Sequence, residues 1–416
     1  MTRDLSEAAL PAHIPPVPRI SLQAFCETAD LTATIEAASA DRRMDKAHVK
    51  VHMGGAPAAI EAYRSAPTPN VIVVEAGPDR ASLHAQLHEL SEFCDHGTKV
   101  VVAGRANDIA LYRSLIERGV SEYLLLPLTV LDFIDAVSRL YAGEGADPLG
   151  RVIAFTGAKG GVGASCIAHN VAWSIARELE LQTVLADLDL GFGTVGLDFN
   201  QDPPQGIGDA VFSPDRLDGN FLDRLLSKCA DNLSVLAAPA TLERPYDLDE
   251  AAFDGVLDLL RASVPCIVLD VPHSWTAWTR RVLVGADDVV VVAGPDLASL
   301  RNAKSLLDVL RGGRPNDQQP KLVMNGVGLL KRPEIAVAEF SKAVDAEPVA
   351  VLPFDAKLFG TAANNGQMIQ EIEAGGKVAD LIGQIARAVT GRAEGRRQKK
   401  TLLDPIMSRL VRLKAS

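Results

Sequence analysis

The segment from Arg151 to Leu179 constrains this chain more than any other. Arg151-Val-Ile-Ala-Phe-Thr156 is a short apolar run of the kind that forms a buried strand. Ala158-Lys-Gly-Gly-Val-Gly-Ala-Ser165 follows it. From Cys166 onward, Ile167, Val171, Ile175 and Leu179 recur every fourth residue, which is one face of a helix. Strand, glycine loop and helix in that order make a phosphate cradle, because the helix N-terminus supplies free N–H groups and a favourable dipole. Gly160, Gly161 and Gly163 let the backbone approach an anion with no Cβ in the way. Ser165 offers a hydroxyl to Mg2+. The usual loop reads G-x-x-x-x-G-K-[ST], its lysine reaching the β/γ-phosphates. Here Ala164 stands in that position, and a lysine occurs earlier, at 159.

A glycine-rich turn before a helix is the plainer reading of the loop alone, and the segments that follow favour the cradle. Thr183-Val-Leu-Ala-Asp187-Leu-Asp189 reads as a second strand with two acidic residues at its end, followed by the glycine-rich stretch 190–196. Pro265-Cys-Ile-Val-Leu-Asp270 reads as a third, the hydrophobic run plus Asp of a Walker B element. A single Asp at a strand end often caps a turn. Three behind a glycine loop indicate a nucleotide site, where carboxylates orient water or hold the hydration shell of a metal.

Lys159-Gly-Gly-Val-Gly-x-Ser, Asp187-x-Asp189 and Asp270-x-Pro272 together resemble the deviant-Walker ATPases of the MinD/ParA class, over about residues 150–390. The resemblance implies that Lys159 is the signature lysine that reaches across a dimer to the partner's nucleotide. It implies that Asn325 contacts the adenine, and that Val351-Leu-Pro353-Phe-Asp355 lies near the base. A narrower similarity rests on Gly157–Ser165, Leu188-Asp-Leu190, Phe192-Gly-Thr194, Gly196-Leu-Asp-Phe199 and Gln201-Asp-Pro-Pro204. These resemble the CpaE/TadZ proteins of the tight-adherence (Flp, type IVc) pilus system, a family linked to polar localisation. In that family an atypical receiver-like domain precedes the ATPase domain.

The N-terminal third fits such a domain. Candidate strands at Ile20–Phe25, Val49–His52, Asn70–Val74, Lys99–Ala103 and Glu122–Leu126 alternate with helical stretches that include Pro57–Ser65, Ala81–Cys94 and Asp108–Arg118. A phosphorylatable receiver needs Asp at the end of its third strand, a hydroxyl after the fourth and Lys before Pro after the fifth. Glu75, Ala103-Gly104 and Leu126 stand there instead. Phosphorelay signalling is therefore not expected, and an interaction module is.

The expected fold class is α/β: a receiver-like N-terminal α/β domain, then a P-loop (MinD/ParA-like) domain with a mostly parallel sheet flanked by helices. The expected divisions are a flexible lead at 1–18, a pseudo-receiver at 19–142, a linker at 143–150, the nucleotide-binding domain at 151–390 and a basic amphipathic tail at 391–416. That tail carries eight Lys/Arg against Glu394 and Asp404, in a chain whose formal net charge is −11. Three readings of it stand open: a solvated end, a peptide docking on a partner, and a helix on anionic lipid. The acidic balance argues against nucleic acid as a specific partner. Five scattered cysteines without CxxC spacing read as reduced thiols. With no signal peptide and no apolar run of membrane-spanning length, a cytoplasmic location is expected, at a cell pole or membrane-peripheral.

The candidate site follows from these readings. Lys159, Gly160, Gly161, Val162, Gly163, Ala164, Ser165, Cys166, Asn325 and Pro353 are expected to bind nucleotide. Ser165 is expected to hold Mg2+, with Asp187 and Asp270 acting through water, and Asp189 and Lys159 are the candidate catalytic residues. ATP and Mg2+ are the cofactors implied, with no other metal indicated, and an ATP-bound homodimer that recruits pilus assembly proteins or a polar scaffold is the implied assembly. A charge-assisted hydrogen bond contributes about 1.5–3 kcal/mol. Two such bonds lost at Ala164 from the transition state would slow cleavage by about 10²–10⁴. Binding with slow or absent hydrolysis is the leading expectation, and a cycling ATPase that positions cargo on membrane or DNA is the alternative. His169 reads as a packed or half-exposed histidine rather than a catalyst. His273, Trp275 and Trp278 read either as a partner surface or as packing.

Overall fold

The structure is a computed structural model that describes residues 13–77, 79–142, 149–243 and 245–392. The expected tail from residue 393 onward, residues 1–12 of the lead and residues 143–148 of the linker lie outside the described residues. Two sheets organise the rest.

The first sheet comprises β1 (Ile20–Cys26), β2 (Ala47–Met53), β3 (Val71–Glu75), β4 (Lys99–Gly104) and β5 (Glu122–Leu125). All neighbours are parallel, in the order β2-β1-β3-β4-β5. Parallel neighbours need crossover helices, which cover both faces. This explains why Val71, Ile72, Val73 and Val74 are buried without alternation.

The second sheet comprises β6 (Arg151–Gly157), β7 (Thr183–Asp187), β8 (Ser227–Ala230), β9 (Leu233–Leu236), β10 (Cys266–Val271), β11 (Asp288–Ala293), β12 (Lys321–Val327) and β13 (Pro348–Pro353). Its order is β13-β12-β11-β6-β10-β7-β9-β8, and only the β8–β9 pair at one edge is antiparallel. Val152 and Ala154 of β6 face one apolar cluster while Ile153 and Phe155 face the other. The apolar run at 151–156 thus feeds two cores through the two-residue period of a strand.

An ionic seam joins the two units, and the sequence alone did not suggest it. The short helical turn Arg42–Met44 of the first unit carries two arginines into the second. Arg42 reaches Asp317 at 2.7 Å and Asp287 at 3.2 Å, and its N–H donates to the Gly285 carbonyl at 3.0 Å. Arg43 pairs with Asp41 and Asp317, and Arg281 bridges Asp45 and Asp254, each at 2.8 Å. Burial opposes ionisation of Asp287, but Arg261, His13 and Arg42 hold its carboxyl well below the usual range. Asp317 is likewise held down, mainly by Arg42 against its burial. The flexible lead expected at 1–18 is tied down over its described part. Val17 is only 1% exposed, and its N–H donates to the Arg43 carbonyl at 2.8 Å, because an apolar side chain beside the first sheet gains more from burial than the segment loses in freedom.

Candidate nucleotide site

β6 ends at Gly157, and the helix Ala164–Arg177 begins after Gly163. The loop between them has the backbone its glycines permit: Gly161 and Gly163 have φ of 77° and 83°, where a Cβ is disfavoured. A Cβ added at Gly160 or Gly161 would meet no atom within 4 Å, so the loop is uncovered at these residues. The first turn of the helix that follows carries N–H groups without intrahelical acceptors. Ala164 is the first helical residue, and Ser165 and Cys166 follow, all three half-buried. Burial pushes the Cys166 thiol up to about 12, so it stays a thiol.

The loop is braced from three directions. Asn325 at the end of β12 donates its amide to the Val162 carbonyl at 2.8 Å. A Cβ on Gly163 would lie 2.6 Å from that amide nitrogen, so glycine is needed for the close approach as well as for φ. Asn302 donates to the Ala158 carbonyl at 2.9 Å, and His273 Nδ1 lies 2.8 Å from the Gly157 carbonyl. Pro353 is half-buried at the end of β13, and Asp355 caps the next helix through the Leu358 N–H.

Lys159 does not point free into solvent. Its Nζ lies 2.8 Å from Asp296 Oδ2, and Asp296 also caps the helix Leu297–Gly313 by accepting the Ser299 N–H. Burial would raise the Asp296 carboxyl, yet Lys159 and Ser299 lower it overall.

Strand register brings the acidic residues together. Asp187 on β7 and Asp270 on β10 are direct register partners, and β10 also pairs with β6, the strand that enters the loop. Both are buried, at 0% and 4% exposure. Asp187 accepts N–H groups from Asp189 at 3.0 Å and Val195 at 3.2 Å. Burial, reinforced by Asp270, pushes its carboxyl up to about 7. Asp189 is half-buried, accepts the Phe192 N–H at 3.1 Å, and is raised by burial.

Sequence reasoning underrated His169. It stands one helical turn after Ser165, on the same face, and is fully buried between acidic groups. Nδ1 lies 2.7 Å from Asp198 Oδ2, and Nε2 lies 3.3 Å from Asp270 Oδ2. Burial alone would lower this imidazole; Asp198 and Asp270 reverse that and hold it up at about 10. The i, i+4 relation to Ser165 was legible, but the acidic partners come from other strands. Of the two tryptophans, Trp278 is buried against Phe253 with ring centroids 4.9 Å apart, and Trp275 is half exposed. Trp275 lines a cleft of about 320 Å3 with His273, Asn302 and Leu306, beside the loop. Larger clefts of about 720 and 440 Å3 lie along the seam between the units, so the site is assigned on chemistry rather than size.

In the first unit, Glu75 is fully engaged. It accepts the Glu27 and Thr28 N–H groups at 2.6 and 2.8 Å and the Thr28 hydroxyl at 2.8 Å. A carboxylate closed by three donors in a buried position ties the end of β3 to the segment that follows β1.

Fold and loop define a deviant-Walker P-loop protein of the MinD/ParA superfamily, a class of ATP-binding proteins. No family model matches the chain. A crystal structure of the pilus assembly protein CpaE from Caulobacter crescentus is 48% identical over 31% of this chain and 98% of its own, with a TM-score of 0.30. On that residue identity, not on the superposition, the chain belongs to the CpaE/TadZ family within the MinD/ParA superfamily. The septum site-determining protein MinD of Pyrococcus horikoshii, solved with Mg-ADP, shares the fold at 18% identity, covering 58% of this chain and 96% of its own with a TM-score of 0.52. The chain spans about 60% of the length of the first curated relatives it matches, uncharacterized proteins of Mycobacterium tuberculosis, at 27% identity over 219 residues and 52% of this chain. No helix among the described residues is long and apolar enough to cross a membrane.

Proposed function

We propose that this chain is an ATP-binding, dimerising localisation and assembly factor of the tight-adherence (Flp, type IVc) pilus system, with weak or absent ATP hydrolysis. One observation carries the reading: the loop keeps an open, braced anion cradle, while Ala164 occupies the first helical position where a phosphate-reaching lysine would stand. Binding rests on backbone N–H groups and the helix N-terminus, which remain. Cleavage depends on charge placed where it develops in the transition state, and that charge is missing at 164.

The residues present fit Mg2+ and a nucleotide. Ser165 would supply a hydroxyl and Asp187 and Asp270 carboxylates that act through water, which are the oxygen donors Mg2+ prefers. When bound, Mg2+ neutralises phosphate charge. In this reading Asn325, which also fixes the loop carbonyl at 162, and Pro353 hold the base, and Asp189 orients water. Lys159 serves the partner's nucleotide in the dimer, and the pseudo-receiver supplies a binding surface rather than a phosphorylation site. A solved CpaE from Caulobacter supports the pilus assignment, and the MinD solved with Mg-ADP supports the cofactor.

Light scattering of wild-type and Lys159→Ala protein, with and without Mg-ATP, tests the dimer. A dimer that needs ATP and disappears in Lys159→Ala is the expected result. Turnover of many ATP per second by wild-type protein would instead establish the alternative, a cycling ATPase that positions cargo on membrane or DNA.

A further inference from the structure

His169, Asp187 and Asp270 present one imidazole nitrogen and two carboxylates whose ligand atoms all lie within 4.8 Å of one another, and all three residues are buried. The imidazole is oriented from behind. Nδ1 is hydrogen-bonded to Asp198 at 2.7 Å, which directs Nε2 toward the carboxylate pair. That nitrogen has no hydrogen-bond partner, although the residue is 0% exposed and Asp270 Oδ2 is only 3.3 Å away. A lone pair on Nε2 would face carboxylate oxygens. The imidazolium that Asp198 and Asp270 favour carries a proton there instead, yet that N–H finds no aligned hydrogen-bond acceptor.

A metal ion would take the place of the Nε2 proton, which is released to solvent on binding. Donor atoms about 2.0–2.2 Å from a metal lie roughly 3–4.4 Å apart, and the ligand atoms here all lie within 4.8 Å of one another, so a small inward turn of a carboxylate would close the site. The Asp198–His169 contact matches the outer-shell carboxylate that orients a metal-bound histidine. Asp187 is also held in place. Its oxygens each accept a backbone N–H, and a Cβ on Gly193 would run into Oδ2.

We infer that His169, Asp187 and Asp270 form a site for a divalent transition-metal ion of the Mn2+, Fe2+ or Zn2+ class, filled without nucleotide. The nitrogen ligand sets it apart from the Mg2+ of the proposed function, which takes oxygen donors, sits with the phosphates and meets Asp187 and Asp270 only through water. The ion would tie the helix after the glycine loop to β7 and β10, and through Asp198 to the segment that follows Asp189.

The test uses chelator-stripped, nucleotide-free, full-length protein titrated with Mn2+, with Zn2+, and with Mg2+ as the control. One Mn2+ per chain is expected, with nitrogen coupling in its pulsed EPR spectrum and at least tenfold preference over Mg2+. Asp198→Asn should weaken Mn2+ about 10–100-fold, and His169→Gln should abolish the nitrogen coupling. If His169→Gln does not fold, the wild-type spectrum decides. No bound Mn2+, or Mn2+ without nitrogen coupling, overturns the site. Mg-ATP binding measured separately distinguishes this failure from failure of the nucleotide reading.

Discussion

Lys159 cannot serve a neighbouring subunit while it is paired with Asp296 at 2.8 Å in its own. Asp296→Asn removes the charge that holds it and keeps the helix cap, because asparagine caps as well as aspartate and Oδ1 still accepts the Ser299 N–H. The two side chains are 39% and 35% exposed, so solvent screens the pair heavily. Exposed pairs of this kind contribute about 0.2–1 kcal/mol. A symmetric dimer releases two lysines, so the variant should dimerise more tightly by about 0.4–2 kcal/mol, or roughly 2–30-fold in Kd. Sedimentation equilibrium at saturating Mg-ATP measures this without interference from a change in nucleotide affinity. The gain should fall toward zero at high salt, and it should vanish when Lys159→Ala is combined with Asp296→Asn. Unchanged or weaker dimerisation by Asp296→Asn, or a gain that survives loss of Lys159, would show that the pair does not restrain the lysine.

Ala164→Lys should raise ATP turnover by about 10²–10⁴ while changing affinity less, read as kcat against KM in a steady-state assay. Asn325→Ala leaves the Val162 carbonyl without its donor and should weaken nucleotide binding by about 1–3 kcal/mol, measured by calorimetry. Asp317→Asn leaves Arg42 and Arg43 short of a buried counter-charge and should destabilise the seam by about 3–5 kcal/mol, with one thermal transition splitting into two. The seam also sets a pH dependence. Asp287 and Asp317 are held below the ordinary carboxylate value, so they bind fewer protons folded than unfolded. Their contribution is complete above about pH 4 and is lost as pH falls below it, which thermal scans from pH 6 to pH 3 should show.

Much of the fold was legible because parallel strands buried on both faces leave unbroken apolar runs. The run at 151–156 and the five N-terminal runs read as strands for that reason, and their observed ends differ by only one or two residues. Boundaries shifted where turn chemistry overlaps element chemistry. The strand from Thr183 stops at Asp187 rather than Asp189, because Asp187 turns its side chain back to accept the N–H groups of 189 and 195. At the site, the glycines and the loss of lysine at 164 were visible as spacing. The partners of Lys159, His169 and Asn325 were not, since Asp296, Asp198 and the Val162 carbonyl lie 137, 29 and 163 residues away.

Sequence by itself determined the two α/β units, the glycine-rich loop between strand and helix and the absence of a lysine at 164, because each follows from residue type and local spacing. Tertiary structure alone decided which charges meet. It placed Lys159 on Asp296, closed Glu75 with three donors, drove Arg42 and Arg43 into the second unit, and set His169 between Asp198 and Asp270. The physical reason is range. Periodicity and turn chemistry act over a few residues of chain, whereas buried charges select partners by distance in space, whatever their separation in sequence.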